Sequence, residues 1–270
     1  MSENKIDIGG ISLSNLNWHQ VLEEIEKYLL EDQRLKTNDH LKSFQPLVIF
    51  TPNPEIIIYA QKDKQFKKIV NSAQITVADG WGVIWASRLE GKKLPERITG
   101  TDLAKKLIEL AAEKGLPIGL IGGSPLLALQ AIDCLKREYP QLKAWGEEGP
   151  RMERVGDKWE MESGYNLDLL IEKIDKMETQ IILVGMGAPK QEIFINQLIH
   201  QPSFFVHQPL VFLSVGGAFA YFAGKLPRAP KWGQKIGLEW LFRLIFQPWR
   251  IKRQLALLKF IFLVCKAKLS

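Results

Sequence analysis

The sequence predicts an α/β fold with a largely parallel sheet flanked by helices, on three observations. Five short β-branched apolar runs recur along the chain: LVIFT (47–51), ITVA (75–78), PIGLIGG (117–123), IILVGMG (181–187) and VFLSVGG (211–217). They are apolar almost throughout, without strict alternation, as strands covered on both faces are. Segments of helical period separate them, and four of the five runs lead into a Gly. Strand–helix alternation of this kind is Rossmann-like and places ligands outside the carboxyl ends of the strands.

Taken in order, helices are predicted near 17–30, 53–71, 80–90, 101–114, 124–138, 165–178 and 188–199. The polar stretch 31–45 reads as a loop. The segment 146–164, rich in Gly, Glu and Arg, reads as an irregular excursion near the site. The chain has 270 residues, 46% hydrophobic and 24% charged, the profile of a folded globular protein and not a disordered one. Its two Cys, Cys134 and Cys265, exclude a disulfide scaffold. The start, MSENKIDIGG, lacks the basic and apolar regions of a secretory signal, which predicts a protein on the cytoplasmic side of a membrane.

The C-terminal part differs in kind. From Lys225 to Ser270 there are eleven Lys or Arg and a single acid, Glu239, a local charge of +10, whereas the whole chain carries +6. Three of the eight Trp (Trp232, Trp240 and Trp249) fall in the same segment. Its longest apolar stretch, 255–265, is interrupted by Lys259 and falls short of the roughly 20 residues a spanning helix needs. Basic, aromatic-rich amphipathic helices of that length lie in a membrane interface. Leu, Ile and Phe interleaved with the charges favour lipid over nucleic acid. The alternative is a helix packed on the core with a solvated basic face. The expected organisation is therefore an α/β domain over 1–224 and a basic, amphipathic, helical appendage over 225–270.

Candidate site residues stand just after the apolar runs. In TPNPE (51–55), Thr51 and Asn53 can bind a polar substrate or simply shape and cap a helix. In ADGWG (78–82), Asp79 is either a helix cap or a general base. Two neighbouring strands would bring it to the same edge as Thr51 and Asn53. In LPERITGTDL (94–103), Arg97 can clamp a phosphate or form a surface ion pair, and Thr101 or Asp102 can cap the following helix. IGGSP (121–125) and GMGAPKQE (185–192) are Gly-rich turns whose backbone amides, at Gly122 and Gly123 among others, can hold a diphosphate. Gln191 can reach a ligand or be solvated. Neither turn is a P-loop or a complete G-x-G-x-x-G fingerprint. The chain has no Asp-x-Asp pair, no metal-ligand spacing among its four His and no Gly-x-Ser-x-Gly turn, so no metal or cofactor is expected.

TPNPE, ADGWGVIWASRL, PERITGTDL, LIGGSP, GMGAPKQE, VGGAFAYFAGKLPRAPKW and GLEWLFRLIFQPWR follow one another in the order seen in WecG/TagA/CpsF glycosyltransferases. The resemblance covers about residues 6 to 262. It implies an inverting, metal-independent transfer of a sugar, N-acetylmannosamine or a related hexose, from a UDP-sugar. The acceptor would be a polyprenyl-diphosphate-linked sugar at the inner face of a bacterial membrane, and the products would serve teichoic acid or other surface polysaccharides. The resemblance makes Asp79 the base, and Thr51, Asn53, Arg97 and Gln191 members of the site. It also makes Arg228, Arg243, Arg250 and Arg253 of the appendage candidates for holding the lipid diphosphate. The family leaves room for a homo-oligomer. Two departures are Ala78, where Pro is common, and the insert at 31–45. A soluble nucleotide-binding regulator or dehydrogenase would share the α/β pattern but leave the basic appendage unexplained.

Overall fold

The computed structural model describes residues 5–30, 44–235, 237–248 and 251–269, with side chains except at 231, 235, 252–254 and 267–269. The predicted loop at 31–45 lies almost wholly outside the described residues, as do Trp249 and Arg250.

The chain opens with a hairpin, β1 (Lys5–Ile8) and β2 (Ile11–Ser14), paired antiparallel with Ile8 opposite Ile11. Its two-residue turn is Gly9-Gly10, both at positive φ (60° and 75°), where glycine relieves the strain any side chain would meet. After α1 (Trp18–Leu30) come β3 (Leu47–Phe50), α2 (Pro54–Ala60), α3 (Lys64–Ser72), β4 (Ile75–Thr76), α4 (Trp81–Leu89) and α5 (Gly100–Lys114). Then follow β5 (Ile118–Ile121), α6 (Leu127–Glu138), β6 (Ala144–Glu147), β7 (Met152–Val155), β8 (Lys158–Met161), α7 (Leu167–Lys176), β9 (Ile181–Val184) and α8 (Lys190–Ile199). The chain continues through β10 (Val211–Ser214), α9 (Phe219–Phe222), α10 (Lys231–Lys235), α11 (Glu239–Phe246) and α12 (Ile251–Leu269).

Six strands form one sheet in the order β4-β3-β10-β9-β5-β6, every pair parallel. All four residues of β3, β5, β9 and β10 are buried, which is why they are written as unbroken apolar runs. Alternate residues serve opposite faces. Ile182 and Val184 join Phe50 and Phe212 in a core with residues of α2, α3, α7 and α8. Ile181 and Leu183 join Ile49 and Leu213 in a second core with residues of α1, α5 and α6. From α12, Phe260 and Val264 enter the first core, so the C-terminal helix is partly a structural element of the domain.

Three local readings are corrected. The helix expected over 53–71 is two helices, because Asp63 stands as N-cap of α3, its carboxylate accepting from Phe66 N–H at 2.9 Å. The excursion expected over 146–164 contains the end of the edge strand β6 and an antiparallel hairpin, β7–β8, turning at Gly156-Asp157. The helix expected to be capped by Thr101 or Asp102 begins at Gly100, and its cap is Thr99. Thr99 Oγ1 accepts from Asp102 N–H at 3.0 Å and donates to the Asp102 carboxylate at 2.6 Å, a Thr-x-x-Asp arrangement akin to a capping box.

Candidate active site

In the sheet β3 lies between β4, the next strand in sequence, and β10, the last, so the order of strands reverses beside it. A crevice opens at such a reversal, outside the carboxyl ends of the strands. The segments that follow β3, β4, β5, β9 and β10 all line one cavity of about 1230 Å³ there, through Thr51, Asp79, Gly123, Met186 and Gly216 among others. Residues scattered from 51 to 217 thus meet because the sheet is parallel, and α11 and α12 complete the wall.

Asp79 lies in this cavity, after β4. Its neighbour Gly80 takes φ +115°, a conformation open to glycine, which turns the chain from the strand end into α4. The Asp79 carboxylate accepts a long hydrogen bond, 3.4 Å, from Gly100 N–H at the start of α5. Gly100 is itself obligatory, since a Cβ there would stand 2.9 Å from Thr51 Oγ1 and 3.2 Å from the Ser214 carbonyl oxygen. Loss of water around the carboxylate raises its pKa to about 6; Arg97 opposes this, Glu239 adds to it, and the Gly100 N–H and Arg243 oppose it. A carboxylate poised there is ionised at neutral pH yet basic enough to take a proton.

Cations surround it. Arg97 stands with its guanidinium 5.9 Å from the Trp81 ring centroid and 3.5 Å from the Glu239 carboxylate. Arg243 of α11 lies over Tyr221 at 5.0 Å, and its Nε is buried with no hydrogen-bond partner among the described residues. Lys225 and Arg88 also line the cavity. Arg228 does not line it: its guanidinium forks onto Asp102, at 2.5 and 2.8 Å, and its Nε donates to Glu239 at 3.4 Å. Burial alone would raise the Asp102 pKa, but hydrogen bonds from Arg228 and Thr99 outweigh it and hold the carboxyl below its ordinary range. Arg228 therefore ties the appendage to α5. Arg250 lies outside the described residues, and Arg253 lies in α12 with its side chain outside them.

Thr51 is buried and donates to the Ser214 carbonyl at 3.4 Å. Asn53 lines the cavity while its Oδ1 caps α2 by accepting from Ile56 N–H at 3.0 Å. Gln191 is buried and lines the cavity. Its Oε1 accepts from Gly187 N–H at 3.1 Å and Gly216 N–H at 2.9 Å, and its amide donates to Glu192 at 2.7 Å. It stitches two Gly-rich turns together. Burial raises the Glu192 carboxyl to about 7, against hydrogen bonds that lower it.

Part of the expected cradle of backbone amides is engaged within the fold. Gly122 N–H donates to the Glu147 carbonyl, Gly185 N–H to that of Ile121, and Gly187 N–H to Gln191. Gly122 does not line the cavity, whereas Gly123 and Ser124 do. Those amides are engaged within the fold, and side-chain cations add positive charge to the cavity through Arg88, Arg97, Lys225 and Arg243. Among the described residues, no three His, Cys, Asp or Glu side chains gather where they could hold a metal ion.

Sequence reasoning missed Glu239, Trp81 and Trp85 as parts of the site. Glu239 carried a signal, being the single acid in a strongly basic segment. The Trp pair carried one too: Trp81 and Trp85 sit one helical turn apart and both remain exposed.

Comparison with known proteins gives the family. A relative from Bacillus subtilis (strain 168), "N-acetylglucosaminyldiphosphoundecaprenol N-acetyl-beta-D-mannosaminyltransferase", is 31% identical over 261 residues, covering 96% of this chain and 90% of the relative. The model of the glycosyl transferase WecG/TagA/CpsF family matches residues 6–270. With the family match running from the first hairpin to the last helix, the chain belongs to the WecG/TagA/CpsF family of glycosyltransferases.

Proposed function

We propose that this glycosyltransferase moves N-acetylmannosamine, or a closely related hexose, from a UDP-sugar to a polyprenyl-diphosphate-linked amino sugar, with inversion and without a metal. The observation that carries the reading is Asp79, a cavity carboxylate with pKa near 6, set among Arg97 and Arg243. The named relative supplies the sugar and acceptor class.

The acceptor hydroxyl attacks the anomeric carbon of the donor from the face opposite UDP. A carbon–oxygen bond forms, the bond from that carbon to the diphosphate oxygen breaks, and the hydroxyl proton passes to Asp79. General-base help of this kind is worth about 10²–10⁴-fold in rate. The charge that develops on the departing diphosphate is met by Arg97 and Arg243, held before the reaction by Glu239, Trp81 and Tyr221, and by the exposed Lys225 at the cavity wall. Thr51 and Asn53 shape the floor at the end of β3. Gln191 acts at one remove, by holding the Gly187 and Gly216 turns.

In this reading residues 1–224 form the catalytic domain and 225–270 an appendage that closes the site and rests on the inner face of the membrane. No helix among the described residues is long and apolar enough to cross a membrane. Yet α12 exposes Ile251, Leu255, Leu258 and Phe262, between 57% and 71% accessible, on one face at helical spacing. An apolar stripe on a basic helix suits peripheral attachment to anionic lipid.

The test is a panel of UDP-sugars offered with an N-acetylglucosaminyl-diphosphate acceptor, with the anomeric configuration of product read by NMR in buffer with and without EDTA. UDP-N-acetylmannosamine should be the best donor, with inverted product in both buffers. A retained configuration, or activity abolished by EDTA and restored by Mg²⁺, would overturn the proposed chemistry.

A further inference from the structure

The cavity that holds Asp79 is not polar throughout. One stretch of its wall is made by Trp85 of α4 and by Leu257, Phe260, Ile261 and Val264 of α12. The four α12 residues follow i, i+3, i+4, i+7 and therefore form a single face of that helix. Gly82 of α4 faces both α2 and α12: a Cβ there would lie 3.0 Å from Pro54, a tight approach, and 3.5 Å from Leu257, in ordinary contact. Phe260 and Val264 are 2% exposed and fix the helix, whereas Ile261 and Trp85 remain 38% and 51% exposed.

Nothing in the chemistry of sugar transfer asks for this wall. The base of a nucleotide-sugar can stack on one aromatic ring, but the two sugars and their diphosphates present hydroxyls and charges, which a face of Leu, Phe, Ile and Val does not recognise. The cavity also exceeds the roughly 300–1,000 Å³ that encloses one small ligand, so it has room for more than the donor. The exposed stripe of Ile251, Leu255, Leu258 and Phe262 occupies a different face of the same helix. A lipid surface on that side and the catalytic carboxylate on the other are thus joined by α12.

We propose that the α4–α12 groove binds the first isoprene units of the acceptor's polyprenyl chain. The inference rests on the acceptor class proposed above and adds the path of its lipid. The chain leaves the bilayer along α12, passes between Trp85 and Ile261, and delivers its diphosphate to the cations beside Asp79. The groove makes chain length a determinant of acceptor binding in free solution, with no membrane present. A tenfold gain (about 1.4 kcal/mol) needs only about 60 Å² of buried apolar surface at about 25 cal/mol per Å².

The experiment compares N-acetylglucosaminyl-diphosphate acceptors carrying a methyl or a farnesyl group, below micellar concentration and without vesicles. Calorimetric titration with farnesyl diphosphate and methyl diphosphate runs alongside. Wild-type protein should show kcat/KM at least tenfold higher for the farnesyl acceptor and should bind farnesyl diphosphate the more tightly. Ile261→Glu, a change at a partly exposed position, should bring the ratio of kcat/KM values to within about twofold of one. Phe262→Glu, on the outward face, should keep the tenfold ratio. Equal kcat/KM for both acceptors in wild type, or a full ratio in Ile261→Glu, would overturn the groove while leaving the transferase reading intact. Absence of transfer to either acceptor would refute the transferase reading, and the groove with it.

Discussion

Replacing Asp79 with Asn should make the protein more stable at pH 8, and the size of the gain follows from the site. The Asp79 pKa is raised from 3.8 to about 6, chiefly because burial strips water from the charged form. The folded state therefore holds this proton more tightly than the unfolded chain, and between pH 4 and 6 the unfolded state binds fewer protons. Stability contributed by the group falls as pH rises through that window. Two pKa units correspond to about 3 kcal/mol, lost in full above about pH 7. Asparagine keeps the shape of the neutral acid and can still accept from Gly100 N–H, yet never ionises. Urea melts at pH 4 and pH 8 should show wild type and Asp79→Asn nearly equal in acid. In base the variant should be ahead by about 3 kcal/mol, or roughly 6–12 °C in Tm for a chain of this size. An Asn variant no more stable than wild type at pH 8, relative to pH 4, would show that the carboxylate is not desolvated, and the poised-base argument would fail.

Two further outcomes are expected. Glu239→Gln removes an anion that helps keep the proton on Asp79 and that partners Arg97 and Arg228, so the acid limb of the pH–rate profile should move to lower pH; an unmoved limb would separate Glu239 from the base. Leu258→Glu combined with Phe262→Glu should abolish salt-sensitive binding to anionic vesicles at little cost in Tm, because the two positions are 64% and 71% exposed; persistent binding would place the membrane contact elsewhere.

Much of the fold was legible because its signals were local. Four central strands are buried on both faces, and such burial requires consecutive apolar residues, which a reader of the sequence sees directly. The hairpins escaped because their strands are four residues long and mix exposed with buried positions, β7 burying only Met152. Their turns, Gly9-Gly10 and Gly156-Asp157, were the available clue. The gathering of Thr51, Asn53 and Asp79 was readable because a parallel sheet brings successive strand ends to one edge, whereas Arg97, in the loop between α4 and α5, joined them through the family resemblance.

What escaped depends on contacts between distant residues. The glycine turns read as free amide donors, but Gln191 and neighbouring strands accept several of those N–H groups. Arg228 read as a ligand for diphosphate, but Asp102, 126 positions away, takes its guanidinium. The appendage over 225–270 read as distinct from the α/β domain, yet Phe260 and Val264 pack into the core, so truncation after Gly224 would damage the domain as well as the proposed membrane contact. Point changes on the exposed stripe are the cleaner probe.

The central claim is that Asp79 takes the acceptor's proton. Single-turnover transfer from UDP-N-acetylmannosamine to a short-chain N-acetylglucosaminyl-diphosphate acceptor tests it most directly, when wild type and Asp79→Asn are compared and UDP affinity is measured on both. Loss of the base predicts a rate lower by about 10²–10⁴-fold with UDP affinity little changed. An Asn variant that turns over at close to the wild-type rate would contradict the account.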